Sequence, residues 1–115
     1  MALAKKYRLT GKKQFDLVKK RGQLIDASLF SLLVFRSQEK EGPKFGFVVS
    51  KRIDKRAVVR NRIRRVLAEA VRQVLPEIRK NLRIIFLAKP ALKEADFNQV
   101  LTLVRKKFGE FAEKK

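Results

Sequence analysis

Five side chains near the middle of the chain combine guanidinium groups with one amide, and they are the side chains best suited to binding chemistry. They are Arg60, Asn61, Arg62, Arg64 and Arg65. A guanidinium fork matches phosphate oxygens with two parallel hydrogen bonds and can stack on a base, which an ammonium group cannot do. The amide adds a donor and an acceptor for a base edge, a 2′-hydroxyl group or a loop. The spacing therefore favours contact with a phosphate backbone.

A wider run of positive charge surrounds these five residues. Residues 51–65 hold eight Lys and Arg side chains and a single acid, Asp54; the other four cations are Lys51, Arg52, Lys55 and Arg56. An ordinary solvated helix face carries acids that pair with its bases. Glu69 is the only acid between residues 55 and 76, so that interpretation fits this stretch poorly.

The net charge indicates the class of partner. The 115 residues carry 30 Lys and Arg against 11 Asp and Glu, a net charge of +19. Self-repulsion on this scale destabilises a compact chain unless a polyanion neutralises it, and nucleic acid, an anionic membrane or an acidic protein could do so. Proteins that lie on membranes usually confine their basic residues to one amphipathic segment or a tail. Here the charge extends along the whole chain, so nucleic acid is favoured and no membrane partner is expected.

The side chains that most often carry out catalysis are missing. The sequence has no histidine to move protons near neutral pH, and no cysteine to form a disulfide or a thiolate metal site. The closest acidic pairs, Glu39 with Glu41 and Glu94 with Asp96, fall in a predicted loop and at a predicted helix start, where solubility and capping explain them. No apolar run is long enough to cross a membrane, and the N-terminal residues lack the apolar segment of a secretory signal. We therefore expect a cytoplasmic protein without a catalytic centre of its own.

The pattern of apolar residues predicts a single α+β domain over residues 1–115. The predicted elements are a helix over 11–21 capped by Thr10 and ended by Gly22, strands over 28–37 and 44–51, a helix over 57–75, a strand over 81–88 and a helix capped by Asp96. The short loop between the first two strands predicts an antiparallel hairpin, and the strand–helix–strand order that follows favours parallel pairing of 44–51 with 81–88. Residues 1–9 are expected to form a loose basic arm.

The helix over 57–75 has one apolar face and a cationic remainder. The apolar face consists of Val59, Ile63, Val66, Leu67, Ala70 and Val74. Asn61, Arg65 and Arg72 point away from it, so packing of the apolar face would decide where the arginines point.

The phenylalanines allow two interpretations. Phe45 and Phe47 flank Gly46 on a predicted strand, an arrangement similar to the platforms that stack bases in sheet-type RNA binders. Phenylalanine on a strand of a small domain is more often part of the core, and core packing is favoured for both. Phe15 and Phe30 stay open between core and binding surface.

The stretch AVVRNRIRRVLAEAVR (57–72), together with FGFVVSKR just before it, resembles the protein subunit of bacterial ribonuclease P. RLTGKKQFDLVKKRG (8–22) and IIFLAKP (84–90) resemble the first helix and the late strand of that family, so the resemblance covers residues 8–111. It implies an α+β fold in the order α-β-β-β-α-β-α, like that of a ribosomal protein domain, with a small mixed sheet and a left-handed β-α-β crossover. That order needs one more strand within residues 24–37 than the apolar pattern separates.

The resemblance also implies a function. Ribonuclease P removes the 5′ leader of precursor tRNA by hydrolysing one phosphodiester bond; its large RNA carries out catalysis with bound Mg²⁺, and the small basic protein assists. The implied partners are that catalytic RNA and the precursor tRNA, with no DNA. No catalytic side chain is expected in the protein.

Two groups of site residues follow from the positions that match the family. The first group would contact the catalytic RNA: Arg60, Asn61, Arg62, Arg64, Arg65 and Arg72. The second would hold the single-stranded leader in a cleft between the first helix, the sheet and the arginine-bearing helix: Phe15, Lys19, Leu33, Lys51, Arg52, Arg56 and Lys89. The family often has an aromatic residue in place of Lys19 and sometimes a tyrosine in place of Leu33, so leader binding would depend more on phosphate contacts and on salt. Asp54 stands where many members carry glycine.

Two alternatives from other classes remain beside this one. A structural RNA-binding protein, such as a ribosomal one, would have the same charge and architecture, and the arginine block with its upstream strand argues against it. A DNA-binding module would place the arginine helix in a major groove, but the sequence shows neither a helix-turn-helix nor a dimer seam.

Overall fold

A computed structural model describes residues 3–39 and 41–113. These residues form three α-helices and a mixed four-stranded sheet. The elements in chain order are α1 (Lys12–Arg21), β1 (Gln23–Asp26), β2 (Phe30–Arg36), β3 (Lys44–Val48), α2 (Ala57–Val74), β4 (Leu82–Ala88) and α3 (Phe97–Glu113). Short 3-10 turns lie at Lys5–Tyr7, Leu75–Glu77 and Pro90–Lys93. This is the α-β-β-β-α-β-α order that the family resemblance implies.

The order of strands in the sheet is β1-β2-β4-β3, with β4 antiparallel to β2 and parallel to β3. The predicted hairpin between 28–37 and 44–51 is therefore wrong, whereas the parallel pairing of 44–51 with 81–88 is confirmed. The residues of β4 from Leu82 to Phe86 are all buried, and a strand covered on both faces belongs in the middle of a sheet. The hairpin partner of β2 is instead the short β1, which the apolar pattern does not separate.

The main core lies on one face of the sheet, beneath α2 and α3. Phe86 of β4 is at its centre, with ring centroids 5.1 Å from Phe30, 5.3 Å from Phe47 and 6.0 Å from Phe108. Phe45 is buried beside them and stacks on Phe108. The core interpretation of Phe45 and Phe47 is confirmed, and Phe30 belongs to the core as well.

The two long helices follow their predicted patterns. α2 ends one residue before the predicted end, with Ile63, Leu67, Ala70 and Val74 buried and Val59 and Val66 partly buried against the same core. α3 begins with the predicted cap: Asp96 Oδ1 accepts from the Gln99 backbone N–H at 2.8 Å, and Gln99 Oε1 accepts from the Asp96 N–H at 2.9 Å. This reciprocal pair satisfies two N–H groups that the first turn leaves free.

The N-terminal segment and the start of α1 differ from the predictions. Residues 3–9 are not a loose arm, because Leu3 and Leu9 are buried and the Leu9 N–H donates to Phe45 O at 2.7 Å along the free edge of β3; residues 1 and 2 lie outside the described residues. Gly11, not Thr10, is the N-cap residue of α1, and its φ of 85° is in a region that favours glycine. Gly22 follows the helix as predicted.

The second face of the sheet is covered in part by α1. Cross-strand partners place Leu24, Leu33, Ile85 and Gly46 in one row on this face. Phe15 and Val18 of α1 pack onto this row. A Cβ added to Gly46 would lie 2.5 Å from Phe15 Cζ, so glycine at this position is what lets the Phe15 ring rest on the sheet.

Gly46→Ala is expected to displace Phe15 and to lower the free energy of unfolding by about 1–3 kcal/mol, the usual cost of overpacking. Urea unfolding measures it. The loss should shrink in a Phe15→Leu background, where the ring is absent. Gly109→Ala is the matched control, since a Cβ there would meet no described atom within 4 Å apart from the adjoining turns of its own helix, and it should be neutral or stabilising by up to about 1 kcal/mol. Equal losses at Gly46 with and without the ring would contradict this explanation.

Candidate nucleic-acid interface

The six residues predicted to contact RNA through α2 all lie outside the core. Asn61, Arg62, Arg65 and Arg72 are exposed, and Arg60 and Arg64 are half-buried. They hold these positions because the opposite side of the helix is buried in the core through Ile63, Leu67 and Ala70. The structure therefore brings this predicted group together on one helix surface, with the arginines directed by core packing.

Hydrogen bonds within the protein hold three of the arginines in place. Arg60 Nη1 donates to Asp54 O at 2.9 Å and to Lys55 O at 2.8 Å, across the turn that precedes α2. Arg62 Nη2 donates to Lys93 O at 3.2 Å, and Arg64 Nη1 donates to Asn61 Oδ1 at 2.8 Å. Each of these uses only part of a guanidinium group, which has five N–H donors, so the remaining donors are presented from fixed positions.

Arg72 differs from the other members of the group because its charge is paired. Its guanidinium binds both carboxylate oxygens of Glu69, and this contact lowers the pKa of Glu69 from its usual value, with help from Gln73. Arg65, about two turns earlier, forms no ion pair or hydrogen bond within the described part of the chain. The positive potential on α2 is thus strongest in its first half.

The residues after β3 and the residues after β4 meet at the same end of the sheet, since these two strands are parallel neighbours. Lys51 and Arg52 are exposed in the turn after β3, and Arg56 precedes α2 with 70% of its side chain exposed. Lys89 follows β4, and its Nζ lies 2.6 Å from both Asp26 Oδ1 and Ala27 O. Four of the predicted leader-binding cations therefore lie at this end. Through its contacts with Asp26 and Ala27, Lys89 also holds the β1–β2 turn in place.

The other predicted leader-binding residues lie on the sheet face that α1 partly covers. Phe15 and Leu33 belong to one apolar cluster with Val48 and Leu87, and all four side chains are half-buried. Phe15 is thus both a packing residue and a partly open ring. Lys19 is exposed on α1 one turn beyond it.

A buried carboxylate in the middle of the basic end was not predicted as part of the site. Asp54 accepts from the Arg56 backbone N–H at 2.8 Å and from Arg56 Nε and Nη2 at 3.0 and 2.9 Å, and it forms an ion pair with Lys93 at 3.0 Å. The bonds from Arg56, together with the contact from Lys93, hold the pKa of Asp54 well below its usual range. Lys93 was not assigned to the site from the sequence. For Asp54, the available signal was that it is the single acid among eight cations in residues 51–65.

Two further classes of site receive no support from the described residues. Residues 3–39 and 41–113 contain no group of three or more acidic, histidine or cysteine side chains that could hold a metal ion. None of the helices within those ranges is long and apolar enough to span a membrane.

The fold and the charge distribution define a class of protein: a small, basic α+β domain in which an arginine-bearing helix packs on a mixed sheet. Comparison with known families is more specific, because the family model for ribonuclease P matches residues 3–112. A ribonuclease P protein component from Roseiflexus castenholzii is 39% identical over 101 residues, covering 87% of this chain and 81% of the relative. One from Finegoldia magna is 35% identical, covering 84% of this chain and 82% of that protein.

The chain therefore belongs to the ribonuclease P protein family, as its sequence motifs indicated. Membership makes it a protein component of a ribonucleoprotein nuclease of tRNA processing and associates it with the ribonuclease P RNA. It also decides against the ribosomal and DNA-binding alternatives.

Solved structures agree with this assignment at the level of the fold. The ribonuclease P protein of Staphylococcus aureus superposes with a TM-score of 0.80 at 23% identity, covering 93% of this chain and 95% of that one. The protein from Thermotoga maritima gives a TM-score of 0.79 at 22% identity, with 90% and 96% covered.

Proposed function

We propose that this protein binds the catalytic RNA of ribonuclease P through the outer surface of α2 and holds the 5′ leader of precursor tRNA on the sheet face beside α1. One observation carries the proposal: the two faces of the sheet are covered unequally. α2 and α3 cover one face, which forms the main core. α1 covers only part of the other face and leaves an apolar strip partly exposed to solvent. The protein thus offers one cationic helix surface and one apolar sheet surface, separated by the sheet itself.

The outer surface of α2 suits a structured RNA. Arg62, Arg64 and Arg65 offer fork-shaped donors from a rigid helix, and guanidinium groups bind phosphate pairs better than ammonium groups do. Arg60 donates two hydrogen bonds to the turn before the helix, whereas Arg62 and Arg64 donate one each within the protein, and Arg72 is paired with Glu69. Among the predicted arginines, the central three are therefore the strongest candidates for direct RNA contact.

The open sheet face suits a single strand of RNA. Proteins that bind single strands combine an apolar or aromatic surface for bases with cations that follow the backbone. Here Phe15, Leu33, Val48 and Leu87 supply the surface, with Lys19 beside it on α1 and Lys51, Arg52 and Arg56 at the end where β3 stops. Phe15 is the one aromatic residue among these four. Phosphate contacts would therefore contribute a large share of leader affinity, and that affinity would fall steeply with salt.

The proposed role of the protein is to position and neutralise, and not to break the bond. Mg²⁺ bound by the RNA would supply the activated water and the stabilisation of negative charge that hydrolysis of a phosphodiester requires. The described residues of this chain offer cations in place of a metal site, and these cations would hold the leader and offset repulsion between two RNA molecules. The result would be a lower Mg²⁺ requirement for the RNA.

Reconstitution with a bacterial ribonuclease P RNA tests this function. At an Mg²⁺ concentration where the RNA alone is inactive, adding the protein should restore removal of the leader from precursor tRNA. Polylysine of equal charge is the control, and it should restore much less activity because it has no defined surface. Failure of the protein to restore cleavage, or equal restoration by polylysine, would contradict the proposal.

Phe15→Leu should weaken binding of the holoenzyme to precursor tRNA by about 1–3 kcal/mol, the value of one base stacked on an aromatic ring. Affinity for mature tRNA, which has no leader, should stay within twofold. Leucine keeps most of the apolar volume, and thermal unfolding checks that the variant is folded. An equal loss for both tRNAs would mean that Phe15 serves only to pack α1 on the sheet.

A further inference from the structure

A buried acid lies at the centre of the basic end of the molecule, and the proposed function does not account for it. The side chain of Asp54 is 6% exposed, and it is the one buried carboxylate among the described residues. It stands among eight cations between residues 51 and 65. Burial of a carboxylate costs free energy unless hydrogen bonds and opposite charges offset the loss of water.

The contacts of Asp54 join two loops that are far apart in the chain. Arg56, at the start of α2, binds it with its backbone N–H and with the Nε and Nη2 edge of its guanidinium. Lys93, at the end of the turn after β4, binds the second oxygen at 3.0 Å. A simple cap for the first N–H groups of α2 would need only a neutral oxygen, whereas holding cations from both loops needs a carboxylate.

The same contacts extend to two more arginines of α2. Arg60 donates to the backbone oxygen of Asp54 and Arg62 to the backbone oxygen of Lys93. Arg56 meanwhile keeps 70% of its side chain exposed, so the donors that Asp54 does not use face solvent. One carboxylate thus fixes where several cations stand relative to each other.

We infer that Asp54 is a positioning residue that sets the spacing of the phosphate-binding cations at this end of the sheet. It does so by holding the turn before α2 against the turn after β4. The inference rests on the proposed function, in that the ligand is the phosphate backbone of the catalytic RNA or of the leader. Asp54 itself, as an anion, repels that ligand and contributes through Arg56 and Lys93.

Net charge and positioning predict opposite results when the acid is neutralised. Asp54→Asn raises the net charge by one, so a surface that acted only through its charge would bind RNA more tightly and with a steeper salt dependence. If Asp54 positions the cations, the same substitution weakens binding, because Arg56 and Lys93 lose the group that holds them. The sign of the change therefore distinguishes the two.

The experiment compares Asp54→Asn with Glu94→Gln, an equal change of charge at an exposed acid just past the same turn. The Kd for the catalytic RNA, and the Kd of the holoenzyme for precursor tRNA, are measured over a series of salt concentrations. We expect at least one of these to rise roughly tenfold for Asp54→Asn, the factor for one charge-assisted hydrogen bond. The slope of log Kd against log salt should fall by about 1, as for one lost phosphate contact, and Glu94→Gln should bind as tightly as the wild type or slightly more so.

The salt slope separates positioning from loss of fold, since a partly unfolded variant binds less RNA but leaves the slope of its folded fraction unchanged. Lys93→Met provides a second variant that opens the same contact while leaving Asp54 in place, and it should change Kd in the same direction. Wild-type or tighter binding by Asp54→Asn, or a lower affinity with an unchanged slope, would overturn the inference. Failure of the wild-type protein to bind the catalytic RNA at all would instead overturn the proposed function.

Discussion

The apolar side of α2 packs against the sheet, and both the main core and the cationic surface require this packing. Ile63, Leu67 and Val74 are buried in the main core, and a helix has a fixed angle of about 100° between successive residues. Burial of these three side chains therefore fixes the directions in which the arginines of α2 point. The helix that completes the core is also the cationic surface, so stability and the proposed RNA contact depend on the same element. This arrangement lets a chain with a net charge of +19 stay folded, because the charges are kept outside a continuous apolar face.

The central place of β4 is the second constraint. Its parallel pairing with β3 puts the turn before α2 and the turn after β4 at one end of the sheet, and Asp54 then joins them through Arg56 and Lys93. Its antiparallel pairing with β2 puts Leu33 beside Ile85 on the face where Phe15 packs. A single strand thus aligns the basic end with the open apolar strip. In the proposed function, a single strand of RNA would extend from the basic end onto the apolar strip.

Local patterns in the sequence predicted the helices well and the sheet poorly, for physical reasons. α2, β4 and the capped α3 carry strong apolar periodicity or a capping pair within a few residues, so each is decided locally. The strand order depends on pairing between residues that are far apart in the chain. The predicted hairpin is wrong because β4, which is buried on both faces, pairs between β2 and β3. The docking of Leu3 and Leu9, and the fit of Phe15 over Gly46, likewise depend on surfaces that form only after folding. The arginine group could be found from residue types and spacing, but Asp54 could not be assigned a partner, since Lys93 lies 39 positions away.

The proposed binding of the catalytic RNA depends on the guanidinium groups of α2 and not on net charge alone. It is tested most directly by measuring the Kd for that RNA after replacing Arg62, Arg64 and Arg65 together by lysine. The net charge and the buried face of α2 are then unchanged. The fork-shaped donors are lost, together with the guanidinium hydrogen bonds from Arg62 to Lys93 O and from Arg64 to Asn61 Oδ1. We expect a rise in Kd of about tenfold or more, with the melting temperature little altered. A triple variant that binds as tightly as the wild-type protein would contradict it.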